Sequence, residues 1–190
     1  MRPAAALRGA LCTGAAVLLG GCGGGDKPSE PLPKAPAAMG LTSAAFQDGG
    51  TIPTRFTCSG RDFSPPLRWS EVPRGTRAFA VLMQDVDADR FLHWGVLDIP
   101  SALRRLAEGR VPPETVETKN SFGDTGWGGP CPPIGRHRYF HRLHALDTLL
   151  PALGDDADRA ALDAAMAGHV LATAELMGTY QLERLERTER

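Results

Sequence analysis

Two acidic residues, Asp85 and Asp87, stand at the end of an otherwise apolar run, "RAFAVLMQDVDAD". A histidine, His93, interrupts a second apolar run, "FLHWGVLDIP", and another, His137, follows the small-residue stretch "GWGGPCPPIGRHRY". Carboxylates beside imidazoles combine permanent acceptors with groups that change from acceptor to donor near neutral pH. Such a set can bind a small polar group, hold a metal or move a proton. Imidazole with carboxylate suits zinc or non-haem iron, but the reading adopted is a site without metal or other cofactor. Neither histidine has a serine or cysteine nucleophile assigned to it by motif.

The elements that must position these residues are strands. Arg77 to Asp85 is apolar on both faces, as in the strand of a sandwich core, and "FLHWGVLDIP" repeats that character up to Pro100. "HRYFHRLHAL" alternates, placing His137, Tyr139, His141 and Leu143 on one face. Gly126 to Pro133 can be neither helix nor central strand, because proline removes backbone donors and glycine adds chain entropy. It predicts a stiff wall in which Gly129 allows close approach of a ligand and Pro130, Pro132 and Pro133 keep the backbone rigid. From Ala157 to Gly178 the period changes, with Leu162, Met166, Val170, Thr173 and Met177 on one helical face. Asp155 or Asp156 would cap that helix and Gly178 would end it. "TYQLERLE" would add a last short strand.

These elements predict an all-β-dominated domain, a β-sandwich with a C-terminal helix. His141 and His144 fall on opposite strand faces and are expected at the surface or a sheet edge. His169 is expected in the core, bonded to backbone. Trp94 and Trp127 either pack in the core or stack on a ligand.

The chain has 190 residues, 42% hydrophobic and 23% charged, with a formal net charge of -1. That suffices for one core, and the neutral balance excludes the basic surface that nucleic acid requires. "MRPAAALRGALCTGAAVLLGGC" has the basic start and short apolar stretch of an export signal over residues 1–21. Its "LGGC" ending resembles a bacterial lipobox, with Cys22 as the lipidated residue. Residues 22–40, rich in Gly, Pro, Lys and Glu, predict a tether. The expected product faces the periplasm or cell exterior, held to a membrane by acyl chains on Cys22, with its domain at 41–186 and a tail at 187–190. Export would leave Cys58 and Cys131 where disulfides persist, either bridged or as a pair of thiols.

Four stretches together are similar to the phosphatidylethanolamine-binding protein family, in its bacterial YbhB/YbcL, or Raf kinase inhibitor-like, branch. They are "SPPLRWSEVPRGTRAFAVLMQDVDAD", "HWGVLDIP", "NSFGDTGWGGPCPPIGRHRYFHRLHALD" and "AMAGHVLATAELMGTY". The resemblance implies an antiparallel β-sandwich with a pocket for phosphate or a phosphoryl headgroup. It implies ligand-binding roles for Asp85, Asp87, His93, Gly129, Pro130, His137 and Tyr139, with Asp85 orienting or charging His93, or binding an ammonium part of a headgroup. The backbone around Gly129 to Cys131 would donate to the anion. The family's D-P-D-A-P turn is here "DVDAD", with Val86 and Asp89 in place of prolines, and Trp127 replaces its usual tyrosine. The leading function is non-catalytic binding of a small anion. Two alternatives are an inhibitor of an extracytoplasmic protease acting through the pocket rim, and a hydrolase using His93 or His137 as general base.

Overall fold

A computed structural model describes residues 39–153 and 157–182. The signal, Cys22, the tether to residue 38, Asp155, Asp156 and the tail lie outside the described residues. The smaller sheet is antiparallel and ordered β1 (Gly40–Thr42), β2 (Leu67–Ser70), β5 (Arg105–Leu106). The larger sheet is ordered β6 (Val116–Glu117), β4 (Phe91–Pro100), β3 (Ala78–Asp85), β7 (Arg136–Leu146), β8 (Val170–Gln181), also antiparallel.

Strand β3 is central and every one of its residues is buried, which is why its sequence does not alternate. Phe79, Val81 and Met83 join the core between the sheets, with Trp69, Trp94, Tyr139 and Leu143. Ala80 and Leu82 point to the other face, where Leu162 and Met166 of α1 (Arg159–Met166) cover Leu92, Leu97 and Leu146.

The β-sandwich expected from the sequence is present, but its C-terminal helix is much shorter than the period suggested. Helix α1 is capped by Asp158, whose side chain accepts from the Ala161 N–H at 2.9 Å. It ends at Met166, before Gly168 at φ +80°. Val170, Thr173 and Met177, expected on a helical face, lie instead on the 12-residue strand β8, which pairs with β7 along its length. The inward positions of β8 are Ala172, Ala174, Leu176, Gly178 and Tyr180. Three of them are too small to announce an apolar alternation, so pairing with β7 decides the conformation. Gly178, expected as a helix end, sits where a Cβ would come within 2.5 Å of Ile52. His169 is exposed in the α1–β8 turn and pairs with Asp147 at 2.8 Å, rather than lying in the core.

Candidate functional site

The β3–β4 connection turns within four residues, Ala88 to Phe91, closed by the Phe91 N–H on the Ala88 carbonyl at 3.0 Å. Asp89 and Arg90 take φ of +50° and +58°. That is the turn whose twist matches a hairpin, and proline's fixed φ could not occupy position 89. The turn leaves Asp85 at the end of β3, opposite Tyr139 of β7. Because Asp85 shares a face with Val81 and Met83, its carboxylate points between the sheets.

His93 arrives by a different route. In the β3–β4 ladder Met83 faces Trp94 and Gln84 faces Leu92, so His93 is an extra residue without a partner on β3. Such a β-bulge re-aims a side chain. Here the imidazole packs against Tyr139, Phe91 and the exposed Phe122, with ring centroids 5.1–5.3 Å apart. Its Nδ1 donates to the Gly128 carbonyl at 2.6 Å, and its own carbonyl accepts the Gly128 N–H at 2.9 Å. Burial lowers the pKa of His93 and favours its neutral form.

Asp85 makes no hydrogen bond to His93, although its charge acts on that imidazole. Its Oδ2 instead accepts from Nδ1 of His137 at 2.7 Å, with side-chain exposures of 4% and 14% respectively. Its Oδ1 accepts the Asp87 N–H at 2.9 Å. Next to this pair lies Tyr139, wholly buried, with its hydroxyl interacting with the Asp85 carboxylate. Burial, and then the charge of Asp85, raises the pKa of that phenol. Asp85, His93, His137 and Tyr139 thus form one cluster at the end of the larger sheet.

Asp87 joins the cluster only through its backbone. Its carboxylate is engaged by Arg138, through the backbone N–H at 2.8 Å, Nε at 3.0 Å and Nη2 at 2.7 Å. The guanidinium holds the Asp87 carboxyl down at about 2.

Gly129 and Pro130 are buried in the wall, and the Gly129 N–H and Pro130 carbonyl are taken by the segment behind it. The Gly129 N–H donates to Asp62 Oδ1 at 2.9 Å, and the Pro130 carbonyl accepts the Cys58 N–H at 3.2 Å. The space a side chain would need at 129 is filled by Asp62, 2.1 Å from an ideal Cβ, and the Phe56 carbonyl, at 2.6 Å. Glycine at 129 therefore lets the wall pack on the Phe56–Asp62 segment. A Cys58–Cys131 disulfide, with Cα atoms 5.5 Å apart, fastens the same two segments.

Asp62 was not legible as a site residue. It also accepts from Trp127 Nε1 at 3.0 Å, so one carboxylate ties two wall residues. Trp127 is half-buried and Trp94 fully buried, with ring centroids 5.4 Å apart. His141, expected at the surface, is completely buried between Phe46 and Trp127. Its ring nitrogens have no hydrogen-bond partner, and burial lowers its pKa to about 4. His144 is half-buried, and burial likewise brings it to about 4.

Residues 42–181 match the family described as phosphatidylethanolamine-binding protein. The chain belongs to that family. It is 43% identical over 150 residues to a UPF0098 protein of Methanothermobacter thermautotrophicus, covering 75% of this chain and 99% of that one. A UPF0098 protein of Aquifex aeolicus is 42% identical, with coverage of 76% and 90%. Among solved structures, a phosphatidylethanolamine-binding protein homolog of Chlamydia trachomatis is 38% identical with a TM-score of 0.71, covering 77% of this chain and 99% of that one. Escherichia coli YbcL, a family member by its description, is 30% identical with a TM-score of 0.72, covering 76% and 99%. The matched span, 42–181, includes the residues of the Asp85–His137 and His93–Gly128 contacts.

Proposed function

We propose that this chain is an exported, lipid-anchored binding protein whose cluster takes a phosphate-bearing or other small anionic group without turning it over. The observation that carries the reading is the Asp85–His137 pair, held at 2.7 Å beside the buried Tyr139. His137 is fixed in orientation yet 14% exposed, so it can meet a ligand from solvent at little ordering cost. Cavities of about 310 and 280 Å³ lie elsewhere, and no cluster residue lines either.

Calorimetric titration with inorganic phosphate tests this directly. Saturable binding is expected in the wild type and is lost in His137→Ala and His93→Ala. A folded wild type that binds nothing overturns the reading. Release of product from p-nitrophenyl phosphate or p-nitrophenyl acetate, abolished by His137→Ala, would replace it with a hydrolase.

One observation favours a second reading, an inhibitor of an extracytoplasmic protease. Ile134 in the wall loop is 70% exposed and Phe122, packed on His93, is 51% exposed. Large apolar side chains at a rim are what a protein partner would bury. Loss of inhibition in Ile134→Ser with phosphate binding retained would separate the two readings.

A further inference from the structure

The smaller sheet carries a feature that the cluster does not use. Its inward residues, Leu41, Leu67, Trp69 and Leu106, are buried, so strand alternation turns Thr42, Arg68 and Arg105 outward. The ladder sets these three in one row. Thr42 faces Arg68 across β1 and β2, and Arg68 faces Arg105 across β2 and β5. The Trp69 N–H donates to the Arg104 carbonyl at 3.1 Å, which makes 69 and 104 a hydrogen-bonded pair. The next pair, Arg68 and Arg105, is therefore of the non-hydrogen-bonded kind, in which opposite side chains stand closest. Like charges in that position destabilise a sheet.

Nothing among the described residues offsets the pair. Both arginines are exposed, and neither guanidinium has a carboxylate, carbonyl or ring partner. Glu108, the next acid along the chain from Arg105, is taken by Arg55 at 3.3 Å. Arg104 and Arg110, on either side of β5 in sequence, add positive charge. A cleft of about 280 Å³ opens beside the pair, walled by Ala44, Pro66 and Ala107 and bounded by Arg68 and Arg105. Glu71 follows β2 at its other end. Such a concentration, on a chain whose formal net charge is -1, suits an anionic surface.

The place where the chain enters this sheet selects the surface. Strand β1 begins at Gly40, and residues 22–38, whose composition predicts a tether, separate it from Cys22. Extended as polyproline, that segment spans roughly 50 Å. An acyl anchor on Cys22 would hold the smaller sheet within such a distance of its bilayer. We infer that the outer face of the smaller sheet docks on an anionic phospholipid surface, with Arg68 and Arg105 on lipid phosphates and Thr42 beside them. The cleft receives part of a headgroup. The Asp85–His137 cluster, on the larger sheet, takes no part. This inference rests on the lipid-anchored reading above.

The test couples the chain from Cys22 onward to vesicles through that thiol, using a maleimide lipid. Residues 1–21 lie outside the family span, and Cys58 and Cys131 are bridged, so Cys22 is the one thiol left to react. The vesicles are phosphatidylcholine alone or an equal mixture with phosphatidylglycerol. Modification of Arg68 and Arg105 by phenylglyoxal, read by peptide mass spectrometry, is expected to slow at least about fivefold on the anionic vesicles. Exposed Arg90, in the β3–β4 turn, should keep its rate. Salt at about 1 M, where the Debye length is about 3 Å, should cancel the protection. Energy transfer from the tryptophans to a dansyl-labelled lipid should rise on anionic vesicles in wild type and not in Arg68→Gln/Arg105→Gln. Equal reactivity of Arg68 and Arg105 on the two vesicles overturns the inference. So does equal protection of Arg90, which would mean attraction without a docked face. Protection by soluble polyglutamate but not by anionic vesicles would give the face to an acidic protein instead. Protein recovered from cells without acyl groups on Cys22 overturns the lipid-anchored reading and this inference with it. Failure on vesicles with Cys22 acylated in cells overturns the inference alone.

Discussion

His137 and Asp85, 52 positions apart in sequence, meet at 2.7 Å because β3 and β7 are neighbours in register and both present an inward face at the same end of the sheet. A carboxylate that fixes one imidazole nitrogen determines what the other can offer a ligand. Asp85→Asn and His137→Ala should therefore be non-additive. In a double-mutant cycle on phosphate affinity, a coupling of about 1–3 kcal/mol is expected. Additive effects would mean that the pair is structural and that ligand contacts lie elsewhere.

His141 makes stability depend on pH with a definite sign. Its folded value of about 4 lies below the ordinary 6.5. Above that ordinary value both states carry the ring neutral, and the difference has no effect. As pH falls from 6.5 towards 4, the unfolded chain takes up a proton that the folded chain excludes. Stability then drops, by on the order of 3 kcal/mol at the lower end. His141→Leu, which puts an apolar side chain between Phe46 and Trp127, should flatten urea midpoints between pH 7 and pH 4.5. An unchanged slope would assign acid sensitivity to other groups, His93 and His144 first.

The clasp behind the wall can be loosened without touching a cluster side chain. Gly129→Ala places a methyl group against Asp62 and the Phe56 carbonyl, at an overpacking cost of about 1–3 kcal/mol. Reduction of Cys58–Cys131, whose sequence separation is 73, should cost roughly 4 kcal/mol by the chain-entropy argument. Thermal unfolding with and without reductant measures both. A Gly129→Ala protein as stable as wild type would show that the wall has room to shift.

Arg90 holds a left-handed backbone at φ +58° without glycine's freedom. Arg90→Gly should stabilise the hairpin by about 1 kcal/mol, raising Tm by a few degrees. A fall in Tm would mean that the arginine side chain makes a contact outweighing its strain.

Much of this was legible in the sequence, and the rest was hidden for identifiable reasons. The buried β3 run and the alternation of His137, Tyr139 and Leu143 follow from apolar periodicity alone. Which acceptor each histidine would choose does not. That depends on the bulge that takes His93 to the Gly128 carbonyl and leaves Asp85 to His137. The partnership of Gly129 with Asp62 joins loops 67 residues apart, and no local pattern encodes it. Strand β8 was masked by its own small residues. Ala172, Ala174 and Gly178 face inward, the last where Phe46 and Ile52 leave no room for a side chain, so the larger outward residues imitated a helical stripe.

The unpaired position of His93 has a consequence for how this cluster can be gained or lost. Side-chain alternation along β4 is counted from the β3 ladder, and the extra residue shifts that count by one between Leu92 and Trp94. Removing a single residue between Phe91 and Trp94 would restore regular pairing and re-aim the remaining side chains. The hydrophobic interior could survive that change while the binding groups were dispersed. Loss of the cluster in a descendant chain would then be written as a one-codon deletion, with Asp85, His137 and Tyr139 all still present.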